Sequence, residues 1–260
     1  MSGAPAGPAP RTALVTGASS GIGAATARAL ARLGWPVALG ARRVERLEEL
    51  AREIRAAGGA AFARRLDVCD AASIEDFFGA VEDALGPPDV VVSNAGIGLP
   101  HLLHEAPLAD IERELATNLL GPILVARRAL PAMLERGRGD LVFISSLNAV
   151  APRTFQAVYT ASKAGVEGLA RVLAMELEGT GVRSTIVRPG PVGSEFGSRY
   201  GPELSRRLLE SWRHWGVMRE LRWLAPERVA EAVVAAVTAP AGAQLDVVQV
   251  VPQNRKRGPL

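Results

Sequence analysis

Short apolar runs alternate along this chain with longer segments in which apolar residues recur every three or four positions. Residues 13–16 form the first run, and the apolar residues of 22–33 then follow the spacing of one helix face. This pattern predicts a strand, a tight turn and a helix. The cycle repeats, with predicted strands near 36–40, 61–66, 89–93, 140–145, 183–188 and 244–250, and predicted helices over 43–57, 73–85, 108–136, 157–178 and 226–238.

Regular alternation of strands and helices is typical of α/β proteins. The strands are almost continuously apolar, which indicates a parallel sheet covered by helices on both faces. We therefore predict a single-domain, doubly wound parallel sheet of the Rossmann type over residues 11–251, because no Pro/Ser-rich linker divides the chain. Residues 1–10 are expected to form a flexible tail and residues 252–260 a basic one. Ligands of such folds bind beyond the carboxyl ends of the strands, at the topological switch point.

Composition narrows the classes of protein to which this chain can belong. Its 260 residues are 48% hydrophobic and 22% charged, which suits one folded domain with a substantial core. No run approaches the roughly eighteen apolar residues of a membrane span. Residues 1–10 lack the features of a signal peptide, so a cytoplasmic protein is expected.

Counts of particular residues exclude further classes. The single cysteine, Cys69, excludes an internal disulfide, and with only three histidines besides it no metal site is expected. The sequence pI of about 9.6 could suggest nucleic acid as a partner. The formal charge is only +3, however, and acids alternate with bases as on solvated helix faces, so we expect no nucleic-acid partner.

A glycine-rich turn joins the first predicted strand to the first helix. Such a turn lets the backbone approach a pyrophosphate at a helix N-terminus, where free amides and the helix dipole favour an anion. A purely structural turn is the alternative. The residues that would contact a cofactor here are Gly17, Ser19, Ser20, Gly21, Ile22 and Gly23.

The second predicted strand bears on the choice of cofactor. A cofactor without a 2′-phosphate usually meets an acidic residue about twenty positions after the turn, whereas arginine meets the phosphorylated one. Here residues 37–41 offer no acid, and Arg42 and Arg43 follow at once. NADP is therefore favoured over NAD. The alternative is that both arginines merely decorate the start of a helix.

Arginine has replaced lysine almost throughout the chain, with 28 Arg and 2 Lys among the 30 basic residues. One of the two lysines, Lys163, follows Tyr159, one of only two tyrosines, by four residues. On a helix this spacing puts both side chains on one face. An ammonium group there would favour the phenolate of a tyrosine, whose ordinary pKa of about 10 is too high for proton exchange at neutral pH, and it can also bind a ribose hydroxyl. The alternative is an ordinary surface contact between residues one helical turn apart.

These motifs coincide in order with others, and over residues 11–250 the chain resembles the short-chain dehydrogenase/reductase family. The glycine turn looks like the family's cofactor turn, and Tyr159 with Lys163 looks like its Tyr-x-x-x-Lys pair. Further residues are similar to family motifs: Asp67-Val68 to the adenine-contacting pair, Asn94-Ala95-Gly96 to the stretch after the fourth strand, Asn118 and Ser146 to the active-site asparagine and serine, and Pro189-Gly190 to the turn beside the nicotinamide. Val192 and Ser194 follow in the same turn, where Ser194 stands in for the threonine that the family often has.

The resemblance implies an oxidoreductase that interconverts a ketone and a secondary alcohol with NADP(H). Ser146 would donate a hydrogen bond to the substrate carbonyl, and Tyr159 would supply the proton as hydride arrives. Lys163 would lower the pKa of Tyr159 and bind the nicotinamide ribose, while Asn118 would hold a water that links Lys163 to solvent. Each residue has a structural alternative: Ser146 could end a strand, and Asn118 and Asn94 could satisfy backbone groups.

Two other functions stay open. An epimerase or dehydratase could use the same tyrosine through a transient ketone, and a regulatory protein could bind NADP(H) without turnover. The last predicted strand leads into Val251-Pro252-Gln253 instead of the Asp-Gly-Gly ending that the family often shows. Membership of the reductases of fatty-acid synthesis is therefore in doubt.

Residues 191–225 lie where the family covers its substrate, and they are rich in aromatic side chains. We predict that they form a lid over a bulky or apolar substrate, with a subunit contact or a helix core face as the alternative. The arginines interleaved with them are expected to be solvated rather than to meet an acidic substrate. The residues concerned are Phe196, Tyr200, Trp212, Trp215, Met218 and Trp223, with Arg199, Arg206, Arg207, Arg213, Arg219 and Arg222; His101 and His104 are further candidates for the pocket.

The two longest predicted helices, 108–136 and 157–178, carry apolar residues on more than one face. This surplus indicates an interface. The resemblance implies pairing about two-fold axes, which gives a homodimer or homotetramer. The residues that suggest it are Leu119, Leu120, Ile123, Leu124, Leu130 and Met133 on the first helix and Val166, Leu169, Leu173 and Leu177 on the second.

Overall fold

A computed structural model of the chain describes residues 10–195, 200–217 and 222–253. The expected tails therefore lie almost entirely outside the described residues. The strands are β1 (Ala13–Thr16), β2 (Val37–Ala41), β3 (Ala61–Arg65), β4 (Val90–Ser93), β5 (Gly139–Ile144), β6 (Val182–Pro189) and β7 (Val247–Val250). The α-helices are α1 (Gly21–Ala31), α2 (Val44–Ala56), α3 (Ala71–Leu85), α4 (Leu108–Leu115), α5 (Gly121–Arg136), α6 (Ala157–Glu176), α7 (Pro202–His214) and α8 (Pro226–Val237). In these ranges no helix is long and apolar enough to cross a membrane.

The strands form one parallel sheet in the order β3-β2-β1-β4-β5-β6-β7. Successive residues of each strand point to opposite faces, so that Val15 of β1 packs under α1, α2 and α8, while Leu14 packs under α3, α5 and α6. The predicted doubly wound, Rossmann-type fold is confirmed. Its switch point lies between β1 and β4, where the chain changes direction across the sheet.

The predicted helix over 108–136 is wrong as a single element. α4 ends at Leu115, and a π-helical turn spans Ala116–Leu120 before α5 begins. The physical reason lies in Pro122, which has no N–H to donate to the carbonyl of Asn118 four residues earlier. The hydrogen-bond register therefore shifts in the turn that contains Asn118, as Gly121 N–H donates to the carbonyl of Ala116 five residues back.

The segment after β6, predicted as a lid over residues 191–225, contains a helix, α7. α7 buries Leu208 and Trp212 against Phe155, which lies in the loop before α6. The last strand is shorter than the predicted 244–250, because only Val247–Val250 pairs with β6 at this edge of the sheet. Upstream of it, the side chains of Gln244 and Asp246 bind each other.

Most of the apolar residues that suggested an interface face the sheet instead. Met133, Val166, Leu173 and Leu177 are buried in the core, and Leu119, Leu124, Leu130 and Leu169 pack against it. Only Leu120 and Ile123 of the ten are exposed. The prediction that these residues form surplus apolar surface is therefore wrong for eight of the ten, because α5 and α6 together cover one face of the sheet. Three other apolar side chains of α4 and α6 are exposed instead, namely Leu108, Val172 and Met175.

Candidate active site

The residues expected to form the site lie beyond the carboxyl ends of six neighbouring strands. They follow β1 (Gly17 to Gly23), β2 (Arg42, Arg43), β3 (Asp67, Val68), β4 (Asn94 to Gly96), β5 (Ser146) and the end of β6 (Pro189 to Ser194). Parallel strands end at the same edge of a sheet, so the fold brings these segments together around the switch point. Tyr159 and Lys163 lie in the first turns of α6, which follows β5.

The turn after β1 requires glycine at three positions. Gly17 and Gly21 have φ angles of 67° and 54°, in the left-handed region that favours glycine. A Cβ on Gly23 would lie 2.4 Å from the carbonyl oxygen of Gly17. Ser20, which precedes α1, makes no capping hydrogen bond with its side chain. The start of α1 is therefore suited to an anion.

Asn94 fixes this turn from the neighbouring strand. Its Nδ2 donates to the carbonyl oxygens of Thr16 at 2.9 Å and Gly17 at 3.3 Å. Thr16 Oγ1 in turn accepts from the backbone N–H groups of Asn94 and Ala95, both at 3.0 Å. These hydrogen bonds support the alternative that Asn94 satisfies backbone groups of the turn. A contact between residues 94–96 and a cofactor stays a prediction.

Of the two arginines after β2, Arg43 is the one that contacts the turn, while Arg42 is exposed. The Arg43 guanidinium donates to Ser19 Oγ at 2.9 Å and to Ser20 Oγ at 2.7 Å. It also binds the Glu195 carboxylate at 2.8 Å, and this hydrogen bond is the largest cause that lowers the pKa of Glu195 to about 2. A carboxylate at this guanidinium indicates that the position accepts an anion.

Ser146 and Tyr159 hydrogen-bond to each other. Ser146 Oγ also accepts from the backbone N–H of Asn148 at 3.2 Å, which leaves its own hydrogen available for donation. Tyr159 is partly exposed, yet desolvation of the phenol raises the pKa of Tyr159 to about 12. The Ser146 hydrogen bond and the charge of Arg153 act in the opposite direction. Tyr159 is therefore a protonated phenol at neutral pH.

Lys163 lies one turn along α6 from Tyr159, with its Nζ 5.9 Å from the centre of the tyrosine ring. The side chain is 5% exposed, and Nζ donates to the carbonyl oxygen of Ile144 at 2.8 Å. Burial lowers the pKa of Lys163 to about 8, against the influence of the Glu114 carboxylate. The expected lowering of the Tyr159 pKa is not found here, because desolvation of the phenol outweighs the charges around it.

Asn118 is buried in the π-helical turn and binds the loop after β4. Its Oδ1 accepts from Ile97 N and its Nδ2 donates to Ile97 O, both at 2.8 Å. Nδ2 also lies 3.4 Å from Ser162 Oγ on α6. A Cβ on Gly96 would lie 3.3 Å from Asn118 Oδ1 and 3.6 Å from Lys163 Nζ. The carboxamide thus fixes the loop next to Lys163, and its role toward a water stays a prediction.

A buried ion pair that sequence reasoning missed supports the catalytic segment. Arg188 donates to both carboxylate oxygens of Glu167, at 2.8 and 2.7 Å, and Ser145 Oγ donates to the same carboxylate at 2.8 Å. Burial raises the pKa of Glu167, but the hydrogen bonds from Arg188 and Ser145 hold it below its ordinary value. Glu167 lies one turn after Lys163, and Ser145 immediately precedes Ser146. The ion pair therefore joins α6, β5 and β6 directly behind the candidate residues.

Two further charged residues act on Tyr159, and no sequence motif had singled them out. Glu114 in α4 is 1% exposed, and its Oε1 accepts from the backbone N–H of Leu99 at 3.1 Å. Burial raises the pKa of Glu114 to about 7. Arg153 lies in the loop before α6, where burial lowers its pKa. The Glu114 charge raises the pKa of Tyr159 and the Arg153 charge lowers it.

The two ends of the predicted lid pair with each other. Gly193 N–H donates to Leu224 O at 2.9 Å, and Leu224 N–H donates to Pro191 O at 2.8 Å. Trp212 is buried on the core face of α7, which agrees with the alternative that the aromatic residues of the lid form a helix core face. Trp223, in contrast, is exposed. The arginines of α7 that pair with carboxylates are at the surface, where Arg206 binds Glu203 and Glu210 and Arg207 binds Glu105. Phe196, Arg199, Met218 and Arg219 lie outside the described residues.

A cleft of about 500 Å³ opens beside α6 and α7. Its walls include Arg153, Phe155 and Trp215, together with His101, one of the two loop histidines proposed for the pocket. His101 Nε2 lies 3.0 Å from Asp110 Oδ2. His104 is exposed and does not line the cleft. Among the described residues, no three His, Cys, Asp or Glu side chains are grouped as metal ligands.

Comparisons with known sequences agree on one family. The model of the short chain dehydrogenase family matches residues 11–204. A short chain dehydrogenase of Pseudocercospora fijiensis is 42% identical over 190 residues, which are 72% of this chain and 62% of that protein. The ketoacyl reductase HetN of Nostoc is 36% identical over 87% of this chain and 75% of its own length. Glycine betaine reductase ATRR of Emericella nidulans is 34% identical over 98% of this chain, which spans only 20% of that protein.

Solved structures agree with the sequence comparison. Serine dehydrogenase in its closed form with NADP+ has a TM-score of 0.83 and 31% identity, covering 96% of this chain and 98% of that one. An actinorhodin polyketide ketoreductase variant with NADPH has a TM-score of 0.81 and 33% identity, covering 93% and 96%. Fold, motif order and both comparisons agree, and the chain belongs to the short-chain dehydrogenase/reductase family of oxidoreductases.

Proposed function

We propose that this protein interconverts a ketone and a secondary alcohol with NADP(H), with Tyr159 as the acid and base. The proposal rests on the hydrogen bond between Ser146 and Tyr159, with the buried Lys163 amine one helical turn away, next to the glycine turn at the switch point. Similarity to a ketoacyl reductase and to a ketoreductase structure with NADPH supports it.

Ser146 and Tyr159 have separate tasks at the carbonyl. When bound, the cofactor supplies a hydride to the carbonyl carbon. The Ser146 hydroxyl donates a hydrogen bond to the carbonyl oxygen, and the Tyr159 hydroxyl transfers its proton to that oxygen as negative charge develops there. The Lys163 ammonium stabilises the phenolate that is left. The same groups act in reverse on an alcohol.

The residues around the turn fit a dinucleotide with a 2′-phosphate. The uncapped start of α1 offers backbone amides to the pyrophosphate. Arg43, next to two serine hydroxyls, offers a guanidinium to the 2′-phosphate, and the exposed Arg42 is a second cation nearby. Lys163 Nζ has further donors for the ribose beyond the one it gives to Ile144. The remaining proposed contacts are Asp67, Val68, Asn94, Ala95, Gly96, Pro189, Gly190, Val192 and Ser194.

Turnover with a panel of ketones separates this proposal from its rivals. We expect NADPH to be oxidised in proportion to the ketone reduced. A reaction that interconverts substrates with no net change in NADPH would favour an epimerase or dehydratase. Binding of NADPH with no reaction on any ketone, and none on secondary alcohols with NADP, would favour a regulatory protein.

We predict that Arg43→Ala weakens NADP binding by about 10- to 150-fold and leaves NAD binding nearly unchanged. The variant removes a charge-assisted hydrogen bond to phosphate, worth about 1.5–3 kcal/mol. Dissociation constants from fluorescence titration of both cofactors provide the measurement. Arg52→Ala, at an exposed position on α2, the helix that Arg43 precedes, is the matched control and should change neither constant. Equal affinity of the unmodified protein for both cofactors would refute the preference for NADP.

We also propose that the protein assembles as a homodimer or homotetramer. Leu108 of α4 is 69% exposed, and Val172 and Met175 of α6 are 52% and 76% exposed. Adjacent exposed apolar side chains are typical of subunit contacts, and Val172 and Met175 lie one helical turn apart on α6. Sedimentation at micromolar concentration should therefore find a species larger than the 27.3 kDa chain. Val172→Lys with Met175→Lys should shift it toward the monomer, and an active wild-type monomer would contradict the proposal.

A further inference from the structure

Arg153 differs from the other arginines that are withdrawn from water. Arg183 binds the buried Asp140 and Arg188 binds the buried Glu167. Within the part of the chain that the structure describes, no carboxylate lies at ion-pair distance from Arg153, although burial is the main influence on its pKa. Removal of a cation from water without a partner is costly. A half-buried arginine of this kind therefore suggests a partner that arrives from outside the chain.

The position of this guanidinium is fixed by the packing of α7 on the loop. Arg153 Cζ lies 5.1 Å from the centre of the Trp212 ring. Trp212 Nε1 donates to Thr154 O at 3.0 Å, and Thr154 Oγ1 lies 2.7 Å from Ser211 Oγ. Phe155 in the same loop has a φ of 65°, the only positive value for a non-glycine residue in the described ranges. Strain of this kind is often found at functional sites.

Arg153 also borders open space. It lines the 500 Å³ cleft with His101 and Trp215. Its charge acts on Tyr159, the proposed proton donor, so the two side chains are near each other. A ligand anion that enters the cleft would therefore meet the Arg153 guanidinium.

We propose that Arg153 binds a carboxylate of the substrate, and that the substrate is an oxo acid, or the corresponding hydroxy acid, rather than a neutral ketone. This inference rests on the function proposed above. The planar guanidinium matches a carboxylate through two parallel hydrogen bonds, which fixes the orientation of the ligand as well as its affinity. Arg153 lies outside the lid arginines, which were expected to be solvated rather than to meet an acidic substrate.

The test compares substrates that differ only in charge. NADPH oxidation is measured with 4-oxopentanoate and acetoacetate and with their methyl esters. The wild type should show a kcat/KM at least about tenfold higher for the acids, and Arg153→Met should raise the KM for the acids by about 10- to 150-fold with little effect on the esters. Methionine keeps an apolar stem against Trp212. Arg153→Lys, which retains the charge, should recover part of the preference for acids.

Arg207→Met is the matched control. Arg207 Cζ lies 5.1 Å from the Phe155 ring, a stacking contact like that of Arg153, but Arg207 pairs with Glu105. This variant should leave the ratio of acid to ester turnover unchanged. Equal losses on acids and esters in Arg153→Met, or the same change of ratio in Arg207→Met, would overturn the inference.

The inference and the proposed function fail in different ways. If the wild type reduces neutral ketones and the methyl esters as well as or better than the acids, only the inference is overturned. If it reduces no ketone, the proposed function is overturned, and quenching of tryptophan fluorescence by 4-oxopentanoate then decides about Arg153 alone. If 4-oxopentanoate quenches the wild type and Arg153→Met abolishes the quenching, Arg153 still binds a carboxylate. If the wild type and Arg153→Met behave alike, the carboxylate site at Arg153 is rejected.

Discussion

Tyr159→Phe is expected to lower kcat by at least about a hundredfold, the scale of a positioned acid or base. The change removes only the phenolic oxygen, which hydrogen-bonds to Ser146, and keeps the packing of the ring. Cofactor affinity should therefore stay within about twofold, because the ring and Lys163 keep their places. Steady-state NADPH oxidation and a fluorescence titration measure the two effects. Near-normal turnover would reject Tyr159 as the proton donor.

Lys163→Arg changes the other member of the Tyr159–Lys163 pair, and this variant should also be inactive. The variant keeps a positive charge but replaces a compact ammonium by a planar guanidinium, which cannot repeat the 2.8 Å bond to Ile144 O in the same buried space. An active Lys163→Arg protein would show that charge alone is sufficient.

Glu167→Ala is expected to lower the free energy of unfolding by about 3–5 kcal/mol, which is the cost of leaving one member of a buried ion pair without its partner. Arg188, with 11% of its side chain exposed, would lose two hydrogen bonds, and Ser145 would lose its acceptor. Denaturant unfolding at a fixed protein concentration measures the change. The control is Glu231→Ala, which breaks an exposed pair with Arg228 and should cost less than about 1 kcal/mol. A loss no larger than that of the control would show that the buried pair is not needed for stability.

The free energy of unfolding that Glu167 contributes should decrease as the pH falls. Its pKa in the folded protein is lowered, so the unfolded carboxylate, with an ordinary pKa of about 4.3, takes up a proton first as the pH falls. The contribution is complete above that value and is lost as the pH falls through the folded pKa. The difference in unfolding free energy between wild type and Glu167→Ala should therefore shrink below about pH 4. A difference that grows on acidification would contradict the assignment.

The order of the strands and helices could be predicted because each has its own local pattern. Residues 13–16 are continuously apolar, and the helices repeat apolar residues with the helical period. The glycine turn and the pair Tyr159 and Lys163 are also local in sequence, so their placement on a turn and on one helix could be predicted. The break at Pro122 is equally local, because proline lacks the N–H that a continuous helix over 108–136 would need at that position.

The charged surroundings of the site could not be predicted, because they depend on contacts between distant segments. Glu167 and Arg188 are 21 residues apart and meet only when α6 packs on β6. The charges of Glu114 and Arg153 act on Tyr159 from different elements, and neither residue belongs to a motif. The sign of the Tyr159 pKa shift depends on how deeply the phenol is packed, which spacing along a helix does not determine.

The scarcity of lysine makes the amine at this site easy to distinguish from others by spectroscopy. The chain has two lysines, Lys163 and Lys256. With its pKa lowered to about 8, Lys163 holds a larger fraction of unprotonated, nucleophilic amine at neutral pH than an ordinary lysine. Lysine labelled with carbon-13 during expression would therefore put one of only two lysine signals within the site, without any mutation and without a reagent that must reach the buried Nζ. Its NMR shift would follow the protonation of Lys163 directly as cofactor and substrate are added.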